Sequence, residues 1–539
     1  MKKSDFLYEV RRRIENKSLD AVKKSLLDFA RYISRDEYED MLLLLDRNDD
    51  ISPAENGIDL LTGIRQLCEK AENGEYEFSW EYEEYYGYGG YWDSDGEEIL
   101  NDCNGLAQEI DPLLRMSVFY VREKRYAQAL EALDQLFSIE IDMDEGFDCI
   151  DIMTLFNNDL IKVEESNVLR HYAYAALMVL RDSARVEKLF EIACLSSFTT
   201  KMQDITRVGT DEIPEREEFA EQWVKFLIKQ KLRYQQVDIL IDAVKYSGGT
   251  KALNAFVKEY GEKYPTAYIE LITEYIAEKQ YGDAVAAASE GLTKLNVISE
   301  TRTAIADLLL EAGNLTKDEQ IIRTAVWEGF RSSLDLSHFI SLRRLNDENL
   351  VSLAIEYMDE NYKKDSSAVY YCIHFLNGDY DLVWDACKKD KKFLGWSTSE
   401  KGKLLPLFAA LLTEGQTVMP CTKKLIENTY LYGNVFEDFI QILTSSLKKL
   451  SESDYQKYYD WCVKEAAGRV DAIVKGQFRG SYHKASMLVV SMAEVIRSKG
   501  GDSDAIKFIK SYKEKYPRHS SFHSCLLEDI SLGNFGMSL

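Results

Sequence analysis

Apolar residues along this chain recur every three or four positions, which is the spacing of one face of an α-helix rather than of a strand. One such stripe lies within residues 253–264, and a similar one lies within residues 505–516. The first stripe consists of Leu253, Phe256, Val257, Tyr260 and Tyr264. Patterns of this kind continue through most of the chain, and they predict an all-α protein.

Two stretches of the chain repeat one another. Residues 120–130 read YVREKRYAQAL and residues 275–285 read YIAEKQYGDAV, with five of the eleven positions identical. Each copy predicts the end of one helix, a tight turn and the start of a second helix, with Ala129 or Ala284 facing back onto the first. A hairpin of this kind cannot bury its apolar face alone and stacks on its neighbours. The repeat therefore predicts an α-solenoid of stacked helical hairpins.

A second internal match places the same kind of unit near the carboxyl end. Residues 255–265 read AFVKEYGEKYP and residues 507–517 read KFIKSYKEKYP, with seven of eleven positions identical. Pro265 and Pro517 are expected to end the two helices, because proline cannot continue a helix. The predicted parts of the chain are an amino-terminal helical segment (1–70), an acidic aromatic loop region (71–114), a first helical-repeat block (115–205) and a second helical-repeat block (216–539).

The net charge of −26 is unevenly distributed along the chain. Residues 71–114 contain thirteen Asp and Glu and no Lys or Arg, whereas residues 461–539 contain twelve Lys and Arg against eight Asp and Glu. A strongly acidic surface repels the phosphates of nucleic acids and attracts basic protein surfaces. Direct nucleic-acid binding is therefore disfavoured, and a protein or peptide with a basic surface is a candidate partner. The alternative is that the acidic residues form a solubilising face.

The acidic region includes a glycine-broken stretch at residues 75–98 that is unusually rich in large rings. These rings are candidate partner-binding residues, because Tyr and Trp are favoured anchors in protein interfaces. They lack the neighbouring cations that a nucleic-acid stacking platform requires. Two interpretations stay open: a loop that packs its rings over the flank of the helical stack, or a loop that docks a partner protein. The candidate residues are Trp80, Tyr82, Tyr85, Tyr86, Tyr88, Tyr91 and Trp92.

A basic stretch near the carboxyl end is a candidate site for an anion or an acidic partner. Within it, the sequence RGSY at residues 479–482 predicts a turn before a long helix. The alternative is a set of helix-surface cations around a structural turn. The candidate residues are Lys464, Arg469, Lys475, Arg479, His483 and Lys484.

Sequence motifs for catalysis, cofactors or metals are absent or incomplete. There is no phosphate-binding loop, dinucleotide fingerprint, serine-hydrolase elbow or HExxH motif. A calcium-loop candidate at residues 46–57 has Ile51 where a sharp turn requires glycine and Gly57 where a bidentate glutamate is required. Cys372 and His374 lie two positions apart, and helix positions with that spacing do not face one metal ion. We therefore expect no metal, no cofactor and no enzymatic activity.

The location of the protein is inferred from its cysteines and its apolar runs. The nine cysteines are scattered singly without a CxxC pair, as is typical of a reducing compartment. The first residues, MKKSDFLYEV, contain no apolar signal region. No apolar run approaches the ~18 residues that a membrane span needs. These observations predict a cytoplasmic protein without membrane contact.

Residues 268–296 resemble a tetratricopeptide repeat. Aligned on Tyr275, Leu271 and Ala284 fall where that family places its Leu and its first packing Ala. Gly291 and Ala288 stand where the family places Ala and a large aromatic residue, so the copy is degenerate. The resemblance implies paired helices that stack and bind peptides or other proteins.

Two longer stretches resemble the helical-repeat region of bacterial proteins that carry a SWIM-type zinc finger. One runs from the acidic aromatic loop through DPLLRMSVFYVREKRYAQALEALDQLF, and the other is residues 469–522. The finger itself, Cys-x-Cys followed by Cys-x-His, is absent from this sequence. The resemblance implies a bacterial helical-repeat protein, and the missing finger weakens any nucleic-acid role that it would suggest.

The function predicted from the sequence is a non-catalytic scaffold or adaptor for protein–protein interaction, because helical-repeat folds bind partners on extended surfaces. The alternative is a nucleic-acid-associated accessory factor that uses the basic carboxyl-terminal part. A helical-repeat enzyme is a third candidate.

Overall fold

The computed structural model describes most of the chain. The described ranges are residues 22–25, 59–83, 97–142, 149–195, 201–233, 236–362, 368–392, 394–395, 399–413, 417–429 and 435–536. The calcium-loop candidate, the side chain of Tyr82, and Tyr85, Tyr86, Tyr88, Tyr91 and Trp92 lie outside the described residues.

The chain divides into two compact units, residues 1–253 and 254–539. The elements of the first unit are α1 (Leu60–Glu72), β1 (Phe78–Glu83), β2 (Glu97–Asp102), α2 (Leu106–Arg122), α3 (Tyr126–Phe137), β3 (Glu140–Asp142), β4 (Cys149–Asp151), α4 (Ile152–Asn157), α5 (Glu165–Val179), α6 (Asp182–Leu195), α7 (Met202–Arg207) and α8 (Arg216–Lys229). Helix α9 (Val237–Tyr260) continues into the second unit and is interrupted at Gly248 and Gly249.

The second unit is helical throughout its described residues. Its further helices are α10 (Thr266–Ala277), α11 (Tyr281–Lys294), α12 (Glu300–Thr316), α13 (Glu319–Ser333), α14 (Leu336–Arg344), α15 (Glu348–Asn361), α16 (Ala368–Asn377), α17 (Tyr380–Lys389), α18 (Glu400–Leu412), α19 (Pro420–Glu427), α20 (Phe436–Ser446), α21 (Glu452–Lys475), α22 (Tyr482–Gly500), α23 (Asp502–Lys515) and α24 (Ser520–Leu532), with a 3-10 turn (Arg479–Ser481) before α22. No helix among the described residues combines the length and apolar character needed to cross a bilayer.

Helices pack largely in chain order within each unit. In the first unit, α2 packs on α3, α3 on α5, α5 on α6 and α6 on α8. In the second unit, α10 contacts α11 and α12, α13 contacts α14 and α15, and α22 contacts α21, α23 and α24. Contact with the next helix and the one after it is the pattern of stacked helical hairpins. The predicted all-α fold of the α-solenoid class is confirmed within each unit.

Both copies of the sequence repeat fold into the same hairpin. The turns centre on Lys124 and Lys279, whose φ angles of 62° and 61° are left-handed. In each copy the N–H of the next residue donates to the carbonyl five positions earlier at 2.8 Å, which is the Schellman cap of a helix end. Ala129 and Ala284 are fully buried near the start of the second helix. The repeat therefore marks a shared backbone frame as well as a shared sequence.

The acidic aromatic region differs from the loop that the sequence predicts, because strands form at its ends. β1 pairs antiparallel with β2, which places Trp80 opposite Leu100. The residues of β1 read FSWEYE, and their rings alternate with polar residues at the period of a strand. That alternation indicates a strand, but the glycine-rich composition of the surrounding region favoured the prediction of a loop. A second two-stranded sheet joins β3 and β4.

Candidate peptide-binding site

The first unit holds a non-helical segment of its own chain against its helices. This segment, residues 208–215, joins α7 to α8, and its sequence VGTDEIPE contains three acidic residues and no basic residue. We call it the acidic connector. Within this segment Ile213 is buried, with 8 % of its surface exposed. The connector is therefore seated on the helical stack.

Asp211 anchors the connector to the first repeat turn. Its carboxylate pairs with the ammonium group of Lys124 and accepts a hydrogen bond of 2.7 Å from the Tyr126 hydroxyl. Its backbone carbonyl accepts a hydrogen bond of 3.0 Å from the hydroxyl of Tyr174 on α5. The turn and the next hairpin thus hold both the side chain and the main chain of one acidic residue.

These contacts fix the charge state of the anchor. Hydrogen bonds from Lys124 and Tyr126 lower the pKa of the Asp211 carboxyl. Burial, followed by the hydrogen bond to Asp211, raises the pKa of the Tyr126 hydroxyl. The carboxylate therefore stays charged and the phenol stays protonated at neutral pH, so the phenol remains a donor.

A second anchor, at Pro214, lies three residues after Asp211 in the connector. The Arg185 side chain on α6 is only 3 % exposed, and it donates to the Pro214 carbonyl at 2.9 Å and to the Leu180 carbonyl at 2.7 Å. Its guanidinium also lies 3.7 Å from the Glu215 carboxylate. Two residues before Asp211, the Tyr174 ring lies so close to Gly209 that an added Cβ would be 2.3 Å from it. Glycine therefore permits this close approach of the connector.

The second repeat has the same turn but different side chains around it. Residues 120–129 contain three basic residues and one acidic residue, whereas residues 275–284 contain one basic and two acidic residues. Gln280 and Asp283 replace Arg125 and Gln128. Within the described part of the chain, the ammonium group of the exposed Lys279 makes no ion pair or hydrogen bond. The residues that contact the Asp211 carboxylate, Lys124 and Tyr126, thus recur as Lys279 and Tyr281, but the charge around the second turn is less positive.

Of the predicted aromatic candidates, the structure describes the side chain of Trp80. Trp80 is 43 % exposed, while Leu100 across the strand pair is 2 % exposed. The ring thus lies on the face of the hairpin that buries Leu100, and it is also partly accessible. The packing and docking interpretations of this region both stay predictions.

The structure spreads the predicted basic candidates over two helices and a turn. Lys464, Arg469 and Lys475 lie on α21, Arg479 lies in the 3-10 turn, and His483 and Lys484 lie on α22. Lys464, Arg479 and His483 are exposed. Burial lowers the pKa of the Arg469 guanidinium.

Asp471 neutralises one of the basic candidates. Its carboxylate accepts from Lys475 at 2.7 Å and from Lys515 at 2.6 Å, and it also accepts from the Tyr516 hydroxyl. Burial opposes ionisation of Asp471, but these three hydrogen bonds hold its pKa at about 2. Lys475 is therefore part of a structural ion pair at neutral pH.

Sequence reasoning missed an exposed ring in the middle of the basic stretch. Phe478 lies between α21 and the 3-10 turn and is 60 % exposed. A sequence signal was present, because IVKGQF at residues 473–478 recurs as ISLGNF at residues 530–535. Both stretches place glycine, a left-handed residue and phenylalanine at a helix end.

The Cys372 and His374 pair lies on α16 in the second unit, and both residues are buried. The His374 ring faces carboxylates on both sides: Nδ1 lies 2.9 Å from Asp379 and Nε2 lies 3.2 Å from Asp359. No cluster of three or more His, Cys, Asp or Glu side chains in the described ranges is placed to hold a metal ion.

Comparisons with known proteins give no family for this chain: no protein-family model matches it, and no curated protein matches it. The resemblances to tetratricopeptide repeats and to SWIM-associated repeats therefore stay predictions.

Proposed function

We propose that this protein is a non-catalytic scaffold that holds other proteins by acidic peptide segments laid on its helical stack. The observation that carries the proposal is the acidic connector, which the first unit already holds in this manner. Helical-repeat folds commonly use the surfaces of their stacked hairpins to bind peptides and proteins.

The chemistry of the connector contacts is that of peptide recognition. Tyr174 and Arg185 each donate to a main-chain carbonyl of the connector, while Lys124 and Tyr126 recognise the Asp211 carboxylate. Tyrosine and arginine are enriched among the residues that dominate binding energy at interfaces. A buried apolar residue, Ile213, adds contact area between the two polar anchors. The same set of contacts suits an acidic segment of a partner.

The test is binding of the connector sequence as a separate peptide. Asp211→Lys places like charges together at Lys124 and should release the connector from its seat. A labelled peptide covering residues 206–217 should then bind this variant and should bind the wild type weakly. The wild-type connector competes at the high effective concentration of a tethered ligand, on the order of millimolar.

The second repeat supplies a matched control. In the Asp211→Lys background, Lys124→Ala with Tyr126→Phe should weaken peptide binding, whereas Lys279→Ala with Tyr281→Phe should leave it unchanged. Circular dichroism of each variant checks that the helices remain. If the Asp211→Lys protein stays folded and binds no peptide, the surface is a structural seat and the proposed function is wrong.

A further inference from the structure

Phe478 combines high exposure with a fixed position. Its N–H donates to the Ile473 carbonyl at 3.1 Å, which closes the Schellman cap of α21, and Gln477 adopts the left-handed φ of 58°. The ring lies against Gly476, where an added Cβ would be 2.5 Å from Cε2 of the ring. A ring held in this way loses little conformational freedom on binding, which favours its use as an anchor.

The end of α24 shows the same cap with its ring covered. The Phe535 N–H donates to the Ile530 carbonyl at 3.1 Å, and Asn534 has a φ of 54°. Here the Arg497 guanidinium lies 4.1 Å from the ring centroid and donates to the Gly533 carbonyl at 2.9 Å. Phe535 is therefore only 5 % exposed. The described residues provide no such cover for Phe478.

The surroundings of Phe478 favour an anionic partner. Residues 475–484, which we call the Phe478 turn, contain Lys475, Arg479 and Lys484 and no Asp or Glu, and Lys475 is paired with Asp471 of α21. Arg479 and His483 are exposed and have no ion-pair partner among the described residues. Helix α22 begins at Tyr482 without an acidic residue in its first turn, so the positive end of its dipole adds to the local charge.

We propose that the Phe478 turn docks an acidic peptide segment of a partner protein that carries an apolar side chain beside its carboxylates. The apolar side chain covers the Phe478 ring, and the carboxylates lie against Arg479 and the start of α22. This inference rests on the proposed function and adds a second site with its own partner chemistry. The acidic connector shows the same combination, because Asp211 and the buried Ile213 lie two residues apart.

The acidic first third of the chain does not prevent this docking at moderate salt. At an ionic strength of ~0.1 M the screening length is about 10 Å, so exposed charges act mainly on their own neighbourhood. The charges that act on a bound carboxylate are then mainly those of the Phe478 turn and of Asp471, which pairs with Lys475. A peptide is favoured over nucleic acid because the seated connector shows that this chain holds acidic peptide.

The test compares two fluorescein-labelled peptides of equal charge, GELEELEG and GEGEEGEG, by fluorescence anisotropy with the full chain. The wild type should bind the leucine peptide about tenfold more tightly, because only this peptide covers the ring. Phe478→Ala should abolish that preference, and Arg479→Glu should weaken both peptides by about tenfold. Both side chains are exposed, so circular dichroism should show folded variants.

Leu527→Ala is the matched control, because Leu527 on α24 is 45 % exposed and lies outside the turn; it should keep the preference. Tighter binding of oligo-deoxythymidine than of either peptide, with loss on Phe478→Ala, would overturn the proposal in favour of single-stranded nucleic acid. Absence of peptide binding, or binding unchanged by Phe478→Ala, would also overturn it. The connector-peptide assay is independent, because neither variant touches the first unit's anchors, so each proposal can fail alone.

Discussion

Asp529 on α24 provides a sharp test of how charge is buried in the second unit. One of its oxygens accepts a hydrogen bond from the fully buried Ser486 hydroxyl. Burial outweighs this bond, and the nearby Glu528 acts in the same direction, so the pKa of Asp529 rises from 3.8 to about 6. At neutral pH the charged Asp529 side chain therefore lowers the free energy of unfolding, and Asp529→Asn should restore that free energy.

The direction and size of the effect follow from the shift. Between about pH 4 and pH 6 the folded protein binds a proton at this site that the unfolded chain does not bind, so this contribution to stability falls as pH rises. A shift of about two units corresponds to at most about 3 kcal/mol. Asp529 keeps partial contact with solvent, so we expect about half of that value.

The assay is urea denaturation of wild type and Asp529→Asn at several pH values from 4 to 8. The variant should gain little near pH 4 and about 1–2 kcal/mol in free energy of unfolding by pH 7. Asp460→Asn is the control, because Asp460 is exposed on α21, and it should show no such trend. A variant that is equally destabilised at every pH would refute the reasoning, since Ser486 would then require the carboxylate.

Three further predictions concern the helical stack. Ala284→Phe should overpack the contact that α11 makes at this fully buried position and lower the free energy of unfolding by about 1–3 kcal/mol. Gly282→Ala is the control, because an added Cβ there meets open space, and it should not lower the thermal midpoint. An unchanged midpoint for Ala284→Phe would show that the contact is loosely packed. Burial opposes protonation of His338, but hydrogen bonds to two aspartates raise its pKa to about 9. The charged His338 therefore stabilises the fold fully below about pH 6.5, and this contribution is lost as the pH rises through 9. In urea denaturation, the loss of unfolding free energy caused by His338→Gln should shrink between pH 7 and pH 10. A loss that is the same at every pH would contradict this. Lys279→Gly should have a higher thermal midpoint than Lys279→Ala, because glycine adopts the left-handed φ of 61° at this position without steric strain. Equal midpoints would show that the turn is unstrained.

The helical hairpins could be predicted from the sequence because their signal is local. The apolar period and the five shared residues of the two repeats lie within eleven positions, and they determine the turn and the buried Ala129 and Ala284. The strands at the ends of the acidic aromatic region had a signal of only six residues, FSWEYE. The residues next to this segment are rich in glycine and in acidic side chains. That composition favoured a loop in the prediction over the strand that the alternation of rings and polar residues indicates.

The candidate site could not be predicted because its contacts are distant in sequence. Tyr126 and Asp211 are separated by 85 positions, and nothing local in VGTDEIPE distinguishes a seated peptide from a linker. Composition predicted the basic stretch around Arg479, but it could not show that Asp471 neutralises Lys475. Asp471 lies one turn before Lys475 on α21, and α23 brings Lys515 to the same carboxylate.

Two pairs of turns show how a shared backbone acquires different side-chain contacts. The turns at Lys124 and Lys279 have matching hydrogen bonds, yet among the described residues only Lys124 pairs with a carboxylate, that of Asp211. The caps at Phe478 and Phe535 also match, yet Arg497 covers only the second ring. In both pairs the helix-ending frame is set by local sequence, whereas distant residues make the contacts that differ: Asp211 reaches the first repeat turn and Arg497 covers the second ring. Substitutions around these shared frames should therefore change what the chain contacts there, with little cost to the hairpins that support them.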